Sequence, residues 1–491
     1  MEVSSCGLLL VLLVLPIAYL VLRKLPKDRT KGPPAKARQF TIKGRHFLEW
    51  STDRLLASPG ATLVLPSGDV LTANAEVVEH VLKTNFTNYP KGQAANSSLA
   101  DLLGDGIFNT DGPGWHLQRK LTSLGFHSRS LRSYLTDVFH PAISDRLLPL
   151  LSRAVASRRT VDLQSILECF AFDGICRVAF GFDSSLLSPD SFDQDEIVGD
   201  SAGFSRAFES AMALILNRHR PHLWRLFRLL GVCGEARLKE EIAIIESFAT
   251  KVVEDAKKSR PNCLLLPFLD AEGLDEKQLR DVVINFLLAG RDTNSSALTW
   301  FFYLISSRPA VREKIRKEIS SIRSNRADDK VFGVEELKEM EYLHAAITEA
   351  MRLYPPVPLN FRSSAERDEL PVGTTVKKGC SVISNLYAMG RMPAMWGEDC
   401  LVYRPERWFD STGEFQTENP CRYPIFYGGP RTCLGKEMAY MQMKALVAAV
   451  IEKFEFEVVG EEERGVEVVP VLRMKGGFPV KVRETSVLVD K

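Results

Sequence analysis

FYGGPRTCLG, the stretch from Phe426 to Gly435, places one cysteine in a loop that is rich in glycine and stiffened by proline. The residues that follow it, 436–442, have the composition of a helix, so Cys433 lies beside a helix N-terminus. The helix dipole lowers the pKa of a thiol at such a position, which makes Cys433 a candidate thiolate ligand. Gly429 and Gly435 give the backbone freedom that lets a flat cofactor approach closely.

The same stretch matches the pattern F-x-x-G-x-R-x-C-x-G at Phe426, Gly429, Arg431, Cys433 and Gly435. Arg431 offers a forked cation that suits a carboxylate. The pattern resembles the haem-ligating loop of the cytochrome P-450 superfamily, the haem-thiolate monooxygenases. The resemblance implies haem b as the cofactor, Cys433 as the thiolate ligand of its iron, and the other four residues as its binding loop. Thiolate ligation favours O–O bond cleavage. The alternative interpretation is a free cysteine that acts as a small hydrophobe in a turn.

The chain has 491 residues, of which 45% are hydrophobic and 25% are charged, which is enough to bury a large core. Length alone suggests two or three domains. The resemblance implies instead one large, mainly α-helical domain with small β-sheets, the cytochrome P-450 fold, over residues 41–491. The net charge of +1 gives no field that would attract nucleic acid. The 9 cysteines contain no C-x-x-C pair, which argues against a zinc site and favours a reducing compartment.

An apolar run over residues 7–22 is at the short end for a membrane span. Basic residues follow the run, and Glu2 stands where a signal peptide would carry positive charge. We therefore expect an uncleaved transmembrane anchor at 7–22, rather than a cleaved signal peptide. A basic, proline-containing linker at 23–40 resembles the hinge of microsomal family members. These features predict a single-pass protein of the endoplasmic reticulum membrane with its catalytic domain in the cytosol.

Trp115 and Arg119 are four residues apart and would share one face of a helix. Alone, the spacing W-x-x-x-R carries little information. Together with the Cys433 loop, it resembles the family helix whose tryptophan and arginine reach a haem propionate. An indole N–H and a guanidinium are both donors, which suits a carboxylate. Both residues are therefore predicted to bind the cofactor.

A capping-box spacing at residues 275–278 starts a helical pattern that runs to about Ile305. A helix of this length must cross the whole domain. The segment AGRDT at its middle, residues 289–293, resembles the family stretch that lies over the haem face where oxygen binds. The resemblance implies that Thr293 holds oxygen or a water molecule of a proton relay, and that Asp292 passes protons in from solvent. Alternatively, Thr293 bonds the carbonyl four residues back, and Asp292 is an ordinary solvated or paired carboxylate.

Glu349 and Arg352 form an E-x-x-R pair, which is common in any protein. Here the segment Pro405–Trp408, PERW, follows and resembles the partner of that pair in the family. The resemblance implies a buried ion network of Glu349, Arg352 and Arg407. We interpret these three residues as structural supports of the Cys433 loop rather than as catalytic residues.

Four segments, 88–92, 106–109, 289–302 and 429–437, resemble the plant fatty-acid ω-hydroxylase clan. Its members oxidise terminal methyl groups of fatty acids, jasmonoyl–amino acid conjugates or sterol side chains. We expect hydroxylation of the terminal carbon of a hydrophobic substrate, with a fatty acid first and jasmonoyl-isoleucine or a sterol side chain as alternatives. Arg362 is one candidate cation for a substrate carboxylate. The candidate pocket residues by family position are Leu102, Ile107, Ala289, Leu359 and Phe361.

No G-x-G-x-x-G unit follows a strand, so electrons from NADPH must come through a flavoprotein reductase on a separate chain. We expect it to dock near Cys433, where Lys120, Arg431 and Lys436 would attract an acidic partner. Two other classes remain open: a haem-binding protein without turnover, and a haem isomerase or dehydratase that uses hydroperoxides. The Asp292–Thr293 pair favours oxygen activation over both.

Overall fold

A helix of 31 residues, Glu276–Ser306, runs through the core of the protein. The structure is a computed structural model, and it describes residues 44–188, 200–216, 224–325, 330–460 and 464–485. Asp275 caps the helix: its side chain accepts the N–H of Gln278 at 2.7 Å, and the Gln278 side chain accepts the N–H of Asp275 at 3.0 Å. The predicted capping box is confirmed, and this helix is α12 in chain order.

The helices before α12 form the first half of the described chain. They are α1 (Gly44–Leu56), α2 (Ala75–Glu79), α3 (Gln93–Leu103), α4 (Gly112–Ser123), α5 (Ser128–Ser133), α6 (Leu148–Ser157), α7 (Leu163–Phe180), α8 (Asp200–Leu216), α9 (Trp224–Leu230), α10 (Glu235–Ser259) and α11 (Leu266–Asp270). Those after it are α13 (Pro309–Arg323), α14 (Val334–Glu339), α15 (Glu341–Leu353), α16 (Leu386–Met389), α17 (Pro393–Trp396) and α18 (Lys436–Lys453). Short π-helical turns occur at His80–Thr84, Tyr134–Phe139 and Ala142–Leu147.

The strands are short and build four small sheets. They are β1 (Thr62–Val64), β2 (Val70–Thr72), β3 (Thr160–Asp162), β4 (Leu359–Ser363), β5 (Asp368–Glu369), β6 (Thr375–Val376), β7 (Ser381–Asn385), β8 (Phe454–Val458), β9 (Val466–Val469), β10 (Val471–Met474) and β11 (Pro479–Glu484). The largest sheet has the order β1-β2-β7-β4, and the others are β3-β11-β8, β9-β10 and β5-β6. Thr62 pairs with Thr72 across the β1–β2 hairpin. Pro66, Ser67 and Gly68 supply turn residues between its two strands, as is typical of a hairpin. The mainly helical fold class was predicted and is confirmed.

Helix α12 packs against α7, α10 and α15. Aromatic residues fill the space between α7, α8 and α10: the ring of Phe204 lies 5.8 Å from that of Phe172 and 4.7 Å from that of Phe248. Burying aromatic side chains in this way contributes strongly to stability, because each removes a large apolar area from water. The structure also explains Gly290 in the middle of α12, since a Cβ there would come within 2.5 Å of Ile175 on α7. That glycine permits close helix packing.

All described residues belong to one compact unit, Phe40–Lys491. Within the described ranges, no helix is both long and apolar enough to cross a bilayer. The predicted anchor at 7–22 and linker at 23–40 lie outside the described residues.

Candidate active site

The Cys433 loop is shaped by two 3₁₀ turns, Pro424–Phe426 and Gly429–Arg431. The backbone N–H of Cys433 donates to the carbonyl oxygen of Phe426 at 2.8 Å, which closes the loop. Gly429 has a φ of +65°, and a Cβ there would come within 2.0 Å of the Leu82 carbonyl oxygen. Only glycine fits this position without moving the chain. Immediately after the loop, α18 begins at Lys436, as the sequence predicted.

Cys433 is exposed at its surface, although many protein atoms surround its sulfur. Burial nevertheless raises the pKa of its thiol above the usual value. The backbone N–H groups of Gly435 and Lys436 and the charge of Arg119 act in the opposite direction but do not overcome burial. The expected net lowering by the helix N-terminus is therefore wrong for the protein alone. A coordinating metal ion deprotonates a thiol outright, so a raised pKa in the protein alone does not conflict with Cys433 as a thiolate ligand.

Trp115 and Arg119 lie one turn apart on α4, beside the Cys433 loop. Arg119 donates to the carbonyl oxygen of Thr432 at 2.8 Å. The guanidinium of Arg431 lies 4.3 Å from the centre of the Trp115 ring, and it also donates to Asp111 at 2.6 Å. Stacking of a guanidinium on an indole fixes the orientation of both groups. The structure thus places Trp115, Arg119 and Arg431 together around the residue that precedes Cys433.

Two further cations join Arg431 in this region, Arg362 from β4 and Lys91 from the loop before α3. Burial, together with the charges of Arg362 and Arg431, lowers the pKa of Lys91. All three guanidinium nitrogens of Arg362 are buried without a hydrogen-bond partner among the described residues, and so is Nε of Arg431. Buried donors that lack partners destabilise a protein unless a ligand satisfies them. A group with two carboxylates, such as haem, would satisfy them, so the residues present fit this cofactor.

The same burial corrects two expectations. Arg362 is only 1% exposed, and its guanidinium lies 5.2 Å from the ring of Tyr427 and 5.7 Å from that of Phe86. It therefore does not stand at a channel mouth where it would bind a substrate carboxylate. The side chain of Arg431 is 7% exposed, which removes it from a reductase-docking surface. Lys120 and Lys436 are exposed.

At the middle of α12, the hydroxyl of Thr293 donates to the carbonyl oxygen of Ala289 at 2.7 Å. Asp292 lies beside Arg291, whose Nη1 is 3.4 Å from Oδ1 of Asp292. Burial raises the pKa of Asp292, although Arg291 and Arg473 oppose the shift. Asn294 donates to the side chain of Gln442 on α18 at 2.7 Å. This hydrogen bond ties the Asp292–Thr293 segment to the helix that starts from the Cys433 loop.

Glu349 lies fully buried between two arginines. Its carboxylate accepts two hydrogen bonds from Arg352, each 2.8 Å long, and it lies 3.3 Å from Nε of Arg407. The indole of Trp408 and the backbone N–H of Arg404 also donate to it, at 3.1 Å and 3.0 Å. The carboxylate therefore joins α15 to the segment Pro405–Trp408 and has no contact with the Cys433 loop among the described hydrogen bonds.

The candidate pocket residues have different surroundings. Leu102 on α3 is buried in the main core, whereas Phe361 on β4 is 41% exposed. Leu359 and Phe361 are two residues apart on a strand, so they lie on the same face of the sheet. Ile107 and Ala289 are half-buried. Their contact with a substrate stays a prediction.

Sequence reasoning did not place Lys91 or Arg362 beside Arg431, and it missed the charged partner of Arg291. Lys91 and Arg362 come from distant parts of the chain and lie close together only in the fold, so no local sequence pattern predicts their proximity. Arg291 had a signal that was not used: it is an arginine within the buried stretch of a very long helix, where a charge requires a partner. Its partner, Glu209 on α8, is 82 residues away in sequence.

Comparison with known proteins adds independent information. The family model described as Cytochrome P-450 matches residues 64–477. The chain is 46% identical to cytochrome P-450 CYP94D108 of Paris polyphylla over 469 residues, which cover 94% of this chain and 93% of the relative. It is 40% identical to cytochrome P-450 94A2 of Vicia sativa over 95% of this chain and 94% of the relative. It is also 40% identical to cytochrome P-450 94C1 of Arabidopsis thaliana, over 89% of each chain.

The mainly helical fold, with a cysteine loop beside the buried guanidinium of Arg362, which has no hydrogen-bond partner in the described chain, fits a haem-thiolate protein. The match over most of the chain makes the assignment specific: this chain belongs to the cytochrome P-450 family and is a monooxygenase of that family. The family implies a haem-thiolate cofactor, and its members generally use a reductase partner.

Proposed function

We propose that this chain hydroxylates the terminal carbon of a fatty-acid chain, using O2 and electrons from NADPH that a separate reductase supplies. The observation that carries the proposal is the Asp292–Thr293 pair on a helix joined by Asn294 to the helix of the Cys433 loop. The choice of a fatty acid is supported by segments that resemble the plant ω-hydroxylase clan, such as 88–92 and 106–109.

Each site residue has a definite task in this proposal. Cys433 ligates the iron of haem b, and Trp115, Arg119 and Arg431 hold its carboxylates, with Arg362 as a further donor. Bound in this way, the cofactor supplies oxygen activation. The Thr293 hydroxyl donates to Ala289 and retains lone pairs that accept a hydrogen bond, so it can hold a water molecule in place.

In the same proposal, the carboxyl group of Asp292 brings a proton to the water that Thr293 holds. Its raised pKa suits this task, because a group that exchanges protons near neutral pH must bind them more tightly than an ordinary aspartate does.

The substrate is tested by turnover with reductase and NADPH. A long-chain fatty acid, jasmonoyl-isoleucine and a hydroxylated sterol are offered side by side, and mass spectrometry locates the oxygen. A terminal hydroxyl on the fatty acid alone supports the proposal. If only the conjugate or only the sterol gains a terminal hydroxyl, the proposed terminal oxidation stands and the proposed substrate class is wrong. Turnover of a hydroperoxide without NADPH would replace the monooxygenase reaction itself.

Thr293→Ala should uncouple NADPH oxidation from product formation. Loss of the hydroxyl removes the group that holds the proton-carrying water, and positioned proton transfer contributes about 10²–10⁴-fold to such steps. We expect product per NADPH to fall by about tenfold or more, with hydrogen peroxide released instead. The measurement is simultaneous assay of NADPH, product and peroxide.

Ser295→Ala is the matched control, because the Ser295 hydroxyl also donates to a carbonyl four residues back, that of Arg291, at 2.9 Å. Ser295 is buried and was not assigned a catalytic role. The control should keep its coupling, and Thr293→Ser should restore most of it. Unchanged coupling in Thr293→Ala would remove Thr293 from the relay.

We also propose that residues 7–22 anchor the protein in the endoplasmic reticulum membrane and that the reductase docks beside Lys120 and Lys436. A chain that lacks residues 1–40 should leave the membrane fraction more readily. Lys436→Glu should weaken binding of the reductase. At low salt, the Michaelis constant for the reductase should be higher in the variant than in wild type, and this difference should shrink at high salt.

A further inference from the structure

Five charged side chains form one connected network beside the proposed proton relay. Arg291 donates to Glu209 on α8 at 2.5 Å and faces Asp292, its neighbour on α12. Glu209 also pairs with Arg473 on β10 at 3.1 Å, and Arg473 pairs with Glu168 on α7 at 2.6 Å. The order of contacts is Asp292, Arg291, Glu209, Arg473, Glu168, so negative and positive groups alternate. We call these five residues the Asp292 network.

The Asp292 network contains three carboxylates and two guanidiniums, so its net charge is −1 when all five groups are ionised. The side chains of Arg291, Asp292 and Glu168 are 4%, 12% and 13% exposed, whereas those of Arg473 and Glu209 are 23% and 38% exposed. An excess charge at either end of the network, Asp292 or Glu168, therefore lacks much of the solvation that water would supply. One bound proton makes the network neutral. The geometry therefore favours the uptake of a single proton by one of its carboxyl groups.

The surroundings indicate which carboxyl groups hold that proton. Burial opposes the ionisation of Glu209, but Arg291 and Arg473 flank it and keep its pKa below the usual value. Burial raises the pKa of Glu168 to about 7, against the opposing charges of Arg473 and Arg291, and the charges of Glu209 and Asp292 raise it further. Burial also raises the pKa of Asp292. The two ends of the network, Glu168 and Asp292, are thus the proton-binding positions.

A further titratable group beside this network is the thiol of Cys169 on α7. Burial raises its pKa to about 12, so it stays neutral and adds no charge near pH 7. The charged groups that face Glu168 and Asp292 therefore come from α8, α12 and β10 and are the members of the network already named.

We propose that Glu168 and Asp292 compete for one proton because the charges of Arg473, Glu209 and Arg291 couple them electrostatically, and that Glu168 and Arg473 are positioning residues that set the charge of Asp292. This inference rests on the proposed function, because it concerns the group that carries protons there. When Glu168 binds the proton, Asp292 is ionised and paired with Arg291. When Glu168 is ionised, the network regains an excess negative charge, which favours the proton on Asp292. The pair has shared titration steps rather than two independent ones.

The test is a double-mutant cycle in pH rather than an activity assay. The haem-loaded protein is unfolded by heat at one scan rate between pH 5.5 and 8.5, as wild type, Glu168→Gln, Asp292→Asn and the double variant. The folded protein holds the Glu168 proton more tightly than the unfolded chain. That stabilisation is present in full at low pH and is lost as the pH rises through about 7. A glutamine resembles the protonated acid in shape and charge and has no proton to lose in this pH range.

Glu168→Gln should therefore gain stability relative to wild type as the pH rises. The unfolding midpoint of the variant minus that of wild type should be a few degrees larger at pH 8.5 than at pH 5.5. In the Asp292→Asn background the remaining four charges balance and the repulsion from Asp292 is gone, so the pKa of Glu168 should fall, while burial still holds it above the usual value. The pH-dependent gain should then be measurably smaller than in the wild-type background. Arg473→Gln should move the wild-type transition above pH 7, because one cation fewer opposes the proton.

Glu168→Asp keeps the carboxyl group and should keep the pH dependence. Glu254→Gln is the matched control, since it removes an exposed carboxylate of α10 outside the network. The proposal is overturned if Glu168→Gln shows no pH-dependent gain, or if the gain is the same in the Asp292→Asn background. Loss of the relay role of Thr293 in the coupling assay would contradict the proposed function and leave this result standing. The two failures are therefore distinguishable.

Discussion

Cys433→Ser should eliminate hydroxylation and the spectroscopic signature of a thiolate-ligated haem. In the folded loop, the N–H of Cys433 bonds the Phe426 carbonyl through the backbone, so a serine leaves the loop geometry intact. What changes is the ligand atom: a hydroxyl cannot give the iron the electron density that favours O–O cleavage. We expect turnover to fall by about 10³-fold or more, which corresponds to about 4 kcal/mol of transition-state stabilisation. The measurements are product formation and the absorbance of the ferrous carbon monoxide complex.

Cys421→Ser is the control for this substitution. Cys421 is also a free cysteine, it is buried, and its sulfur lies 3.2 Å from the position that a Cβ on Gly428 would occupy. It therefore lies close to the same loop. The control variant should retain both the signature and the turnover. A Cys433→Ser protein with the wild-type spectrum would show that another side chain ligates the iron.

Features of the fold and the site could be predicted from the sequence when the residues that interact are close together in the chain. The α12 capping box and the β1–β2 hairpin depend on contacts between residues that are close in sequence, and both were predictable. The loop around Cys433 was predictable because glycine and proline restrict its backbone locally. The sign of the pKa shift at Cys433 was not, because it depends on how many protein atoms surround the sulfur. A helix N-terminus is visible in a sequence, but desolvation is not.

The cations of the site show the same limit. Arg431 and Arg119 were identified because each belongs to a spaced motif. Arg362 was assigned to the substrate, although the fold buries it beside Phe86 and Tyr427. The Asp292 network was also invisible, since Glu168, Glu209, Arg291 and Arg473 come from four separate segments. Charge balance in a buried cluster is a property of the assembled fold, and for this reason it carries information that motif matching cannot supply.

Glu349→Gln should strongly destabilise the fold without touching the chemistry directly. The substitution removes the negative charge between Arg352 and Arg407, while both side chains stay buried. Breaking a buried ion pair by removing one partner costs about 3–5 kcal/mol, because the remaining charge is uncompensated. That is a large part of the stability of an ordinary protein. We expect a clearly lower unfolding midpoint and a poor yield of haem-loaded protein, measured by thermal unfolding and by haem content.

Two comparisons separate this mechanism from a general loss of charge. Glu366→Gln removes an exposed carboxylate that pairs with Lys378 at 2.7 Å, and it should leave the unfolding midpoint unchanged, because water screens such pairs. Replacing Glu349 and Arg352 together by Gln and Met should cost less than the sum of the two single losses, because no unpaired charge remains at that contact. If the two losses were additive, the pair would act as two independent polar groups. The role of Glu349 would then lie in its bonds to Trp408 and the Arg404 backbone.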